Sequence, residues 1–216
     1  MTPIYERMIL GVFMKAIDFK KDPVYKAKTE PEIVTIPRML FVMVDGQGDP
    51  DGKDFQDAMQ AIYGIVYTIK FWDKKFEAPE GYEKFTMAPL EGLWWMKNDE
   101  LWDVNRRNDW CWTAMVRLPE FVDDKYFNEV IDTCIKQKKS DVYKKARLEY
   151  FNEGQCVQIL HIGPYSTEGP NIQKMHQFAA DQGYKLRGKH HELYFGDPRR
   201  TAPEKLKTIL RQPVEK

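Results

Sequence analysis

Two spacings of apolar residues alternate along this chain. In PEIVTIPRMLFVMVDGQGDP, Met39–Val44 is an unbroken apolar run closed by turn residues, which predicts a buried strand. DFQDAMQAIYGIVYTIKF then places Phe55, Ala58, Met59, Ile62, Ile65, Val66 and Ile69 on one face at helical spacing. FTMAPLEGLWWM and DWCWTAMVRLP return to strand character, and the charged NDELWDVNRRND between them predicts a loop. DDKYFNEVIDTCIKQKK predicts a second amphipathic helix, with Tyr126, Phe127, Val130, Ile131, Cys134 and Ile135 inward. The basic KKSDVYKKAR after it reads as a solvated helix end or linker.

The order then recurs. GQCVQILHIGPYS is an apolar strand with a glycine turn, EGPNIQKMHQFAADQGY a shorter helix and KHHELYF a strand. After the turn GDPRR and the helical scrap APEKL, TILRQPV reads as the final strand. Each half therefore gives strand, helix, strand, strand, which predicts an internal duplication. The expected fold is α+β: two tandem strand-helix-strand-strand modules with pseudo-twofold symmetry in a single domain over residues 1–216. The first repeat spans about 31–119, a linker helix about 120–147 and the second repeat about 148–216. Antiparallel sheets side by side, with helices on one face, would leave a central ligand groove across the junction on the uncovered face.

Strand alternation sorts the side chains of that groove. In KHHELYF, His190, Glu192 and Tyr194 share one face, and His191, Leu193 and Phe195 share the other, which is expected to turn to the helices. In PLEGLWW, Glu91, Leu93 and Trp95 share a face, with Trp94 opposite. In DWCWTAMV, Trp110, Trp112 and Ala114 share one. Matching PLEGLWW to KHHELYF puts Glu91 where Glu192 falls, a carboxylate repeated in both halves. The expected groove has Glu192 at its floor and Trp95, Trp110, Trp112, Tyr194 and His190 around the ligand. Such walls suit flat aromatic molecules and cations.

Composition narrows the classes. Lys plus Arg and Asp plus Glu stand at 33 each, so there is no basic excess of the kind that nucleic-acid binding exploits. The cysteines, Cys111, Cys134 and Cys156, form no CxxC pair, as for reduced thiols in a cytoplasm. MILGVFMKAI is short, is interrupted by Lys15 and lacks a cleavage pattern, so neither a signal peptide nor a membrane span is expected. His190 and His191 point to opposite faces and cannot easily chelate one ion, so no metal site is expected. DGQGDP lacks the lysine and third glycine of a phosphate loop, and no G-x-S-x-G elbow occurs. No cofactor is implied.

PLEGLWW, DWCWT, CVQILHIGPYS, GKHHELYFGDPRRTAPEKLKTILRQPV and the early VDGQGDP together resemble the GyrI-like small-molecule-binding family, from about residue 30 to the C-terminus. That resemblance implies two tandem modules and a groove glutamate as ligand contact, a position that Glu192 matches. More narrowly, the chain resembles stand-alone cyclopropanoid cyclopropyl hydrolases, which act on DNA-alkylating agents of the yatakemycin and CC-1065 type through an aromatic cage. The resemblance implies hydrolysis of the cyclopropane ring as a cellular protection, with Glu192 and Glu91 as candidate catalytic carboxylates. The alternative is a non-catalytic drug-binding protein, and a weaker third option is a regulatory interaction protein. The expected partner is a hydrophobic polycyclic or cationic small molecule, without direct nucleic-acid or membrane binding, and the chain is expected to be a monomer or weak dimer.

Overall fold

A computed structural model describes residues 16–216. The run MILGVFMKAI, up to Lys15, lies outside the described residues. Among the described residues, three helices and nine strands succeed one another. They begin with β1 (Ile17–Asp18), β2 (Glu32–Gln47), α1 (Lys53–Lys70), β3 (Phe85–Thr86), β4 (Leu90–Met96) and β5 (Trp110–Arg117). Then come α2 (Asp124–Lys138), β6 (Arg147–Ile162), α3 (Gly169–Asp181), β7 (Lys185–Leu186), β8 (His190–Phe195) and β9 (Lys207–Glu215).

The large strands pair in the order β6-β2-β5-β4-β8-β9, and β9 pairs back onto β6. Every one of these pairings is antiparallel, so the six strands close into a ring. Closure removes free edges and gives the sheet an inside and an outside. β2 and β6 are 16 residues each, longer than their apolar cores alone predict. In both, the inward series shifts by one position, at Pro37 and at Gly154. Val34 and Ile36 precede Pro37, and Met39, Phe41 and Met43 come after it in the same interior cluster. Gly154 sits at φ +74, a conformation glycine adopts without penalty.

Two layers of packing result. Inside the ring, Ile36, Met39, Phe41, Met43, Leu93, Met115 and Cys156 interdigitate. Outside, Leu40, Val42 and Val44 meet Ala58, Ala61, Ile62, Ile65, Val66 and Ile69 of α1. The stripe read from the sequence is the face that packs there. α3 lays Met175 and Ala179 on Val157, Ile159 and Leu210. α2 begins at Asp123, whose side chain accepts from the Tyr126 amide at 2.7 Å. It packs Tyr126, Phe127, Val130 and Cys134 into the same core as α1.

Both α1 and α3 therefore lie on the outside of the ring. The helix-free face, expected to carry the groove, is the closed interior. The reason is geometric: curling the sheet shut turns the face without helices inward. The open ground is instead on the outside, over β4 and β8, between the two helices.

Candidate functional site

β4 and β8 run antiparallel, with Leu90 opposite Tyr194, Gly92 opposite Glu192 and Trp94 opposite His190. These residues point outward. Glu91 lies opposite Leu193, and Leu93 opposite His191, and these point into the ring. Across the ladder Glu192 therefore faces Gly92, while Glu91 lies on the opposite face of the sheet. The two carboxylates expected to share the groove thus point to opposite sides of the sheet. A one-residue offset inverts every side chain of a strand, so residues one position out of step between two strands end on opposite faces.

The outward face carries a short polar chain. The Trp94 Nε1–H donates to the Tyr194 hydroxyl at 2.8 Å, and that hydroxyl donates to Glu192 Oε2 at 2.6 Å. Gly92 makes room for it: a Cβ there would meet Trp94 Nε1 at 2.7 Å and the Tyr194 oxygen at 3.2 Å. Burial, then the Glu192 carboxylate, pushes the Tyr194 phenol well above its usual range, so it stays a donor. His190 Nε2 lies 3.4 Å from Glu192 Oε1.

Aromatic rings surround this chain. Phe55, in the first turn of α1, stacks on Trp94 with centroids 6.0 Å apart, and Tyr165 meets Tyr194 edge-on at 5.6 Å. Trp110 meets Trp94 edge-on at 6.2 Å and stacks on Trp102 at 4.6 Å. Trp102 comes from the charged stretch read as a plain loop, and Leu101 and Val104 beside it are exposed. Trp112 is on this side but fully buried, edge-on to Phe55, with its Nε1–H donating to the Gly48 carbonyl. A Cβ at Gly46 would run into its ring. Trp112 thus supports the wall from behind and does not line it.

α3 contributes the far wall. Glu168 immediately precedes it and is 6% exposed; His176 is half-buried on the helix. Burial, then the charge of Glu192, holds the Glu168 carboxyl far above the usual carboxylate range. The Thr208 hydroxyl lies alongside and acts in the opposite, lowering direction. Burial, then His190, lowers His176. Glu168 Oε1, His176 Nε2, both ring nitrogens of His190 and Thr208 Oγ1 are buried without a hydrogen-bond partner. Unpaired buried polar groups are costly and uncommon, and these lie on β8, on β9 and on or just before α3, on the outer side of the ring.

The structure thus brings Glu192, Tyr194, His190 and Trp110 together. It separates Trp95 and Glu91 from them, because both face the other way. Trp95 packs against the interior cluster, with Lys189 Nζ over its ring at 3.2 Å. Glu91 Oε1 accepts from the Tyr25 hydroxyl at 2.9 Å, and Glu91 Oε2 is 3.0 Å from His191 Nε2. His191 Nδ1 meets Glu153 Oε1 at 2.8 Å, and Arg211 Nη1 meets Glu153 Oε2 at 3.2 Å. Arg211 also donates to Gln158 and to the Val24 carbonyl. The face of His191 and Leu193, expected against the helices, holds this buried ion network instead.

Trp94, Phe55, Trp102, Tyr165, Glu168 and His176 are not among the groove residues that the sequence predicts. A signal for Trp94 was present: LEGLWW and HHELYF align without a gap, Leu93 on Leu193, Trp94 on Tyr194 and Trp95 on Phe195. Among the described residues, no group of three or more His, Cys, Asp or Glu could hold a metal ion, and no helix is long and apolar enough to cross a membrane.

The family model for the GyrI-like small molecule binding domain matches residues 29–215. No curated protein sequence matches the chain. Among solved structures, an uncharacterized conserved protein from Listeria innocua is 42% identical, with a TM-score of 0.87 over 92% of this chain and 100% of the other. A protein from Listeria innocua described as a hydrolase is 41% identical, with a TM-score of 0.87 over 93% of this chain and 100% of its own. The C-terminal domain of EcmrR, at 14% identity and a TM-score of 0.53 over 87% of this chain and 98% of the other, shares the fold.

Proposed function

The chain belongs to the GyrI-like small-molecule-binding family, and on that premise we propose that its outer cleft takes up flat hydrophobic or cationic xenobiotics and hydrates the cyclopropane ring of alkylators of the yatakemycin and CC-1065 type. The observation that carries this reading is the chain Trp94–Tyr194–Glu192 on the cleft floor, under an arc of aromatic rings. The 41%-identical Listeria innocua protein described as a hydrolase supports the catalytic half of it.

The chemistry asks little of the protein. A cyclopropane fused to a dienone opens when water attacks its CH2 carbon, and aromatisation drives the step. The cleft has to hold the polycycle, exclude bulk water and orient one water molecule. Phe55, Trp94, Trp110, Trp102 and Tyr165 offer stacking surfaces. Glu192 orients the attacking water and takes its proton, while the Tyr194 hydrogen bond fixes the carboxylate in place. Glu91 acts at a distance, by holding His191 on the strand that carries Glu192.

The test uses the full chain and a cyclopropane-bearing alkylator. Wild type should yield a product heavier by one water, seen by mass spectrometry. Glu192→Gln should lower that rate about 10²–10⁴-fold, the usual span for one acid–base group, while tryptophan quenching still reports binding. Wild type that binds the alkylator and never forms the hydrate would sink the hydrolase reading and leave a drug-binding protein, with Glu192 as counter-charge for cations.

A further inference from the structure

The wall opposite Glu192 holds a second carboxyl. Glu168 is nearly all buried, its Oε1 has no hydrogen-bond partner, Tyr165 three residues before it meets Tyr194 edge-on at 5.6 Å, and the charge of Glu192 acts on it. It precedes α3 but its side chain makes no cap to that helix, so capping does not account for it. A buried acid with an idle oxygen, facing a second acid among aromatic rings, is an arrangement that burial alone would select against.

We propose that Glu168 is the second working carboxyl of the cleft, donating a hydrogen bond, and in turnover a proton, to a ligand oxygen while Glu192 accepts one. The hydrogen-bond half stands on the burial and the unpartnered oxygen of Glu168, and the turnover half rests on the hydrolase reading. The ligand class it selects is a polycycle with a carbonyl or similar acceptor oxygen, in addition to any cationic ligand that Glu192 attracts.

The step balances without a co-reactant. One O–H bond of water breaks and its proton goes to the Glu192 carboxylate. The oxygen forms a C–O bond to the cyclopropane CH2, and the C–C bond opens. Its electron pair flows through the dienone to the carbonyl oxygen, which takes the proton of Glu168 and becomes a phenol. The proton on Glu192 then returns to Glu168, so one water has been added and no electrons are exchanged.

Burial and the neighbouring Glu192 charge keep the Glu168 proton in place, against the α3 N-terminus, which favours the charged form. The other titratable groups around the pair are His190 and Tyr194 on β8, His176 on α3, Tyr165 in the preceding turn, and Tyr63 of α1 with Asp197 and Arg199 beyond it. Burial and then Glu168 push the Tyr165 phenol up to about 12, so neither tyrosine competes as the acid near neutral pH.

The experiment labels glutamate carboxyls with carbon-13 in the full chain and tracks the neutral-carboxyl infrared band through a pH titration. Wild type should keep one such band above neutral pH, and the dienone alkylator should shift it; Glu168→Gln should lack it. With the alkylator, Glu168→Gln should lose about 10²–10³ in kcat, keep KM within a few-fold and lose the alkaline fall in kcat. Ethidium, a planar cation without an acceptor oxygen, should bind both proteins equally. A wild-type band that is absent, or that the alkylator leaves unmoved, overturns the proposal without recourse to any variant. Unchanged kcat and pH profile in Glu168→Gln overturn its catalytic half. A shifted band without any hydrate refutes the hydrolase reading and leaves Glu168 standing as the donor to a bound ligand.

Discussion

His191 and Glu192 are neighbours on one strand and live in opposite electrostatic worlds. His191 points into the ring, fully buried, between Glu91 and Glu153, with Arg211 completing the set. Burial alone would lower its pKa, but Glu153 and then Glu91 override that and raise it to about 9. Burial alone would raise Glu153, yet His191 and Arg211 pull it down to about 2. Glu91 and Glu153 thus face His191 and Arg211, and Tyr25, Gln158 and the Val24 carbonyl take up further bonds. Glu192 points out, half-buried, across from a second acid and amid ring nitrogens without partners. On the inner face carboxylates sit against a histidine and an arginine, whereas on the outer face Glu168 Oε1 and His176 Nε2 lie buried without a partner. The first pattern stabilises a fold and fixes register; the second awaits a ligand.

The hardest way to break that contrast is Arg211→Met. It leaves Glu153 buried with one partner fewer and should cost about 3–5 kcal/mol of stability, read by chemical denaturation. Glu192→Gln, one residue from the same network, should stay within about 1 kcal/mol of wild type, since it removes a charge with no buried cation against it. Equal losses from the two would erase the distinction.

pH separates the faces next. His191 has its pKa raised above the unfolded value of 6.5, so its contribution is whole below that value and is lost as pH rises through about 9. Glu153 has its pKa lowered from 4.5, so its contribution is present above 4.5 and is lost as pH falls toward about 2. Each of these two groups should account for about 3 kcal/mol at most, seen as a bell in melting temperature. Glu168, raised from 4.5 to about 9, loses its contribution across that span as pH rises, so Glu168→Gln should show a shallower fall between about pH 4.5 and 9 and an unchanged acid limb below it.

Gly92→Ala probes the cleft floor. Its Cβ has to displace Trp94 or Tyr194, at about 1–3 kcal/mol, and ligand affinity measured by tryptophan quenching should fall with it. The smallest contrast pits the two adjacent tryptophans against each other. Trp94→Phe keeps the ring and loses the bond to Tyr194, about 0.5–1.5 kcal/mol, which is up to roughly tenfold in affinity. Trp95→Phe, facing the interior, should leave affinity within about twofold. A larger loss at Trp95 would return it to the cleft wall.

Much of the site was legible one residue at a time. Glu192, Tyr194 and His190 share a face because alternation along a strand is local, and the structure keeps them together. Trp110 joins them for the same reason. Trp112 passes the face test, but alternation says nothing of depth, and it is buried behind Phe55. Trp95 and Glu91 fall elsewhere because comparing two strands needs register, which their own alternation does not contain. Trp102 and Glu168 belong to segments without periodicity, so no pattern marked them. The segment Pro23–Lys28 carried no motif, yet it closes the ring's interior: Tyr25 reaches Glu91, and the Val24 and Lys26 carbonyls accept from Arg211 and Gln158.

The sequence by itself determined the order of strands and helices, the α1 stripe that packs on the sheet and the glutamate on a polar-aromatic strand face. Each rests on contacts between residues near in sequence, so spacing encodes it. Tertiary structure alone decided that the sheet closes, and closure made the helix-free face an interior and moved the cleft to the outside. It also set Gly92, not Glu91, opposite Glu192, and brought Glu168 across from it. Those outcomes depend on pairing between strands far apart in the chain, where a shift of one residue exchanges core for cleft.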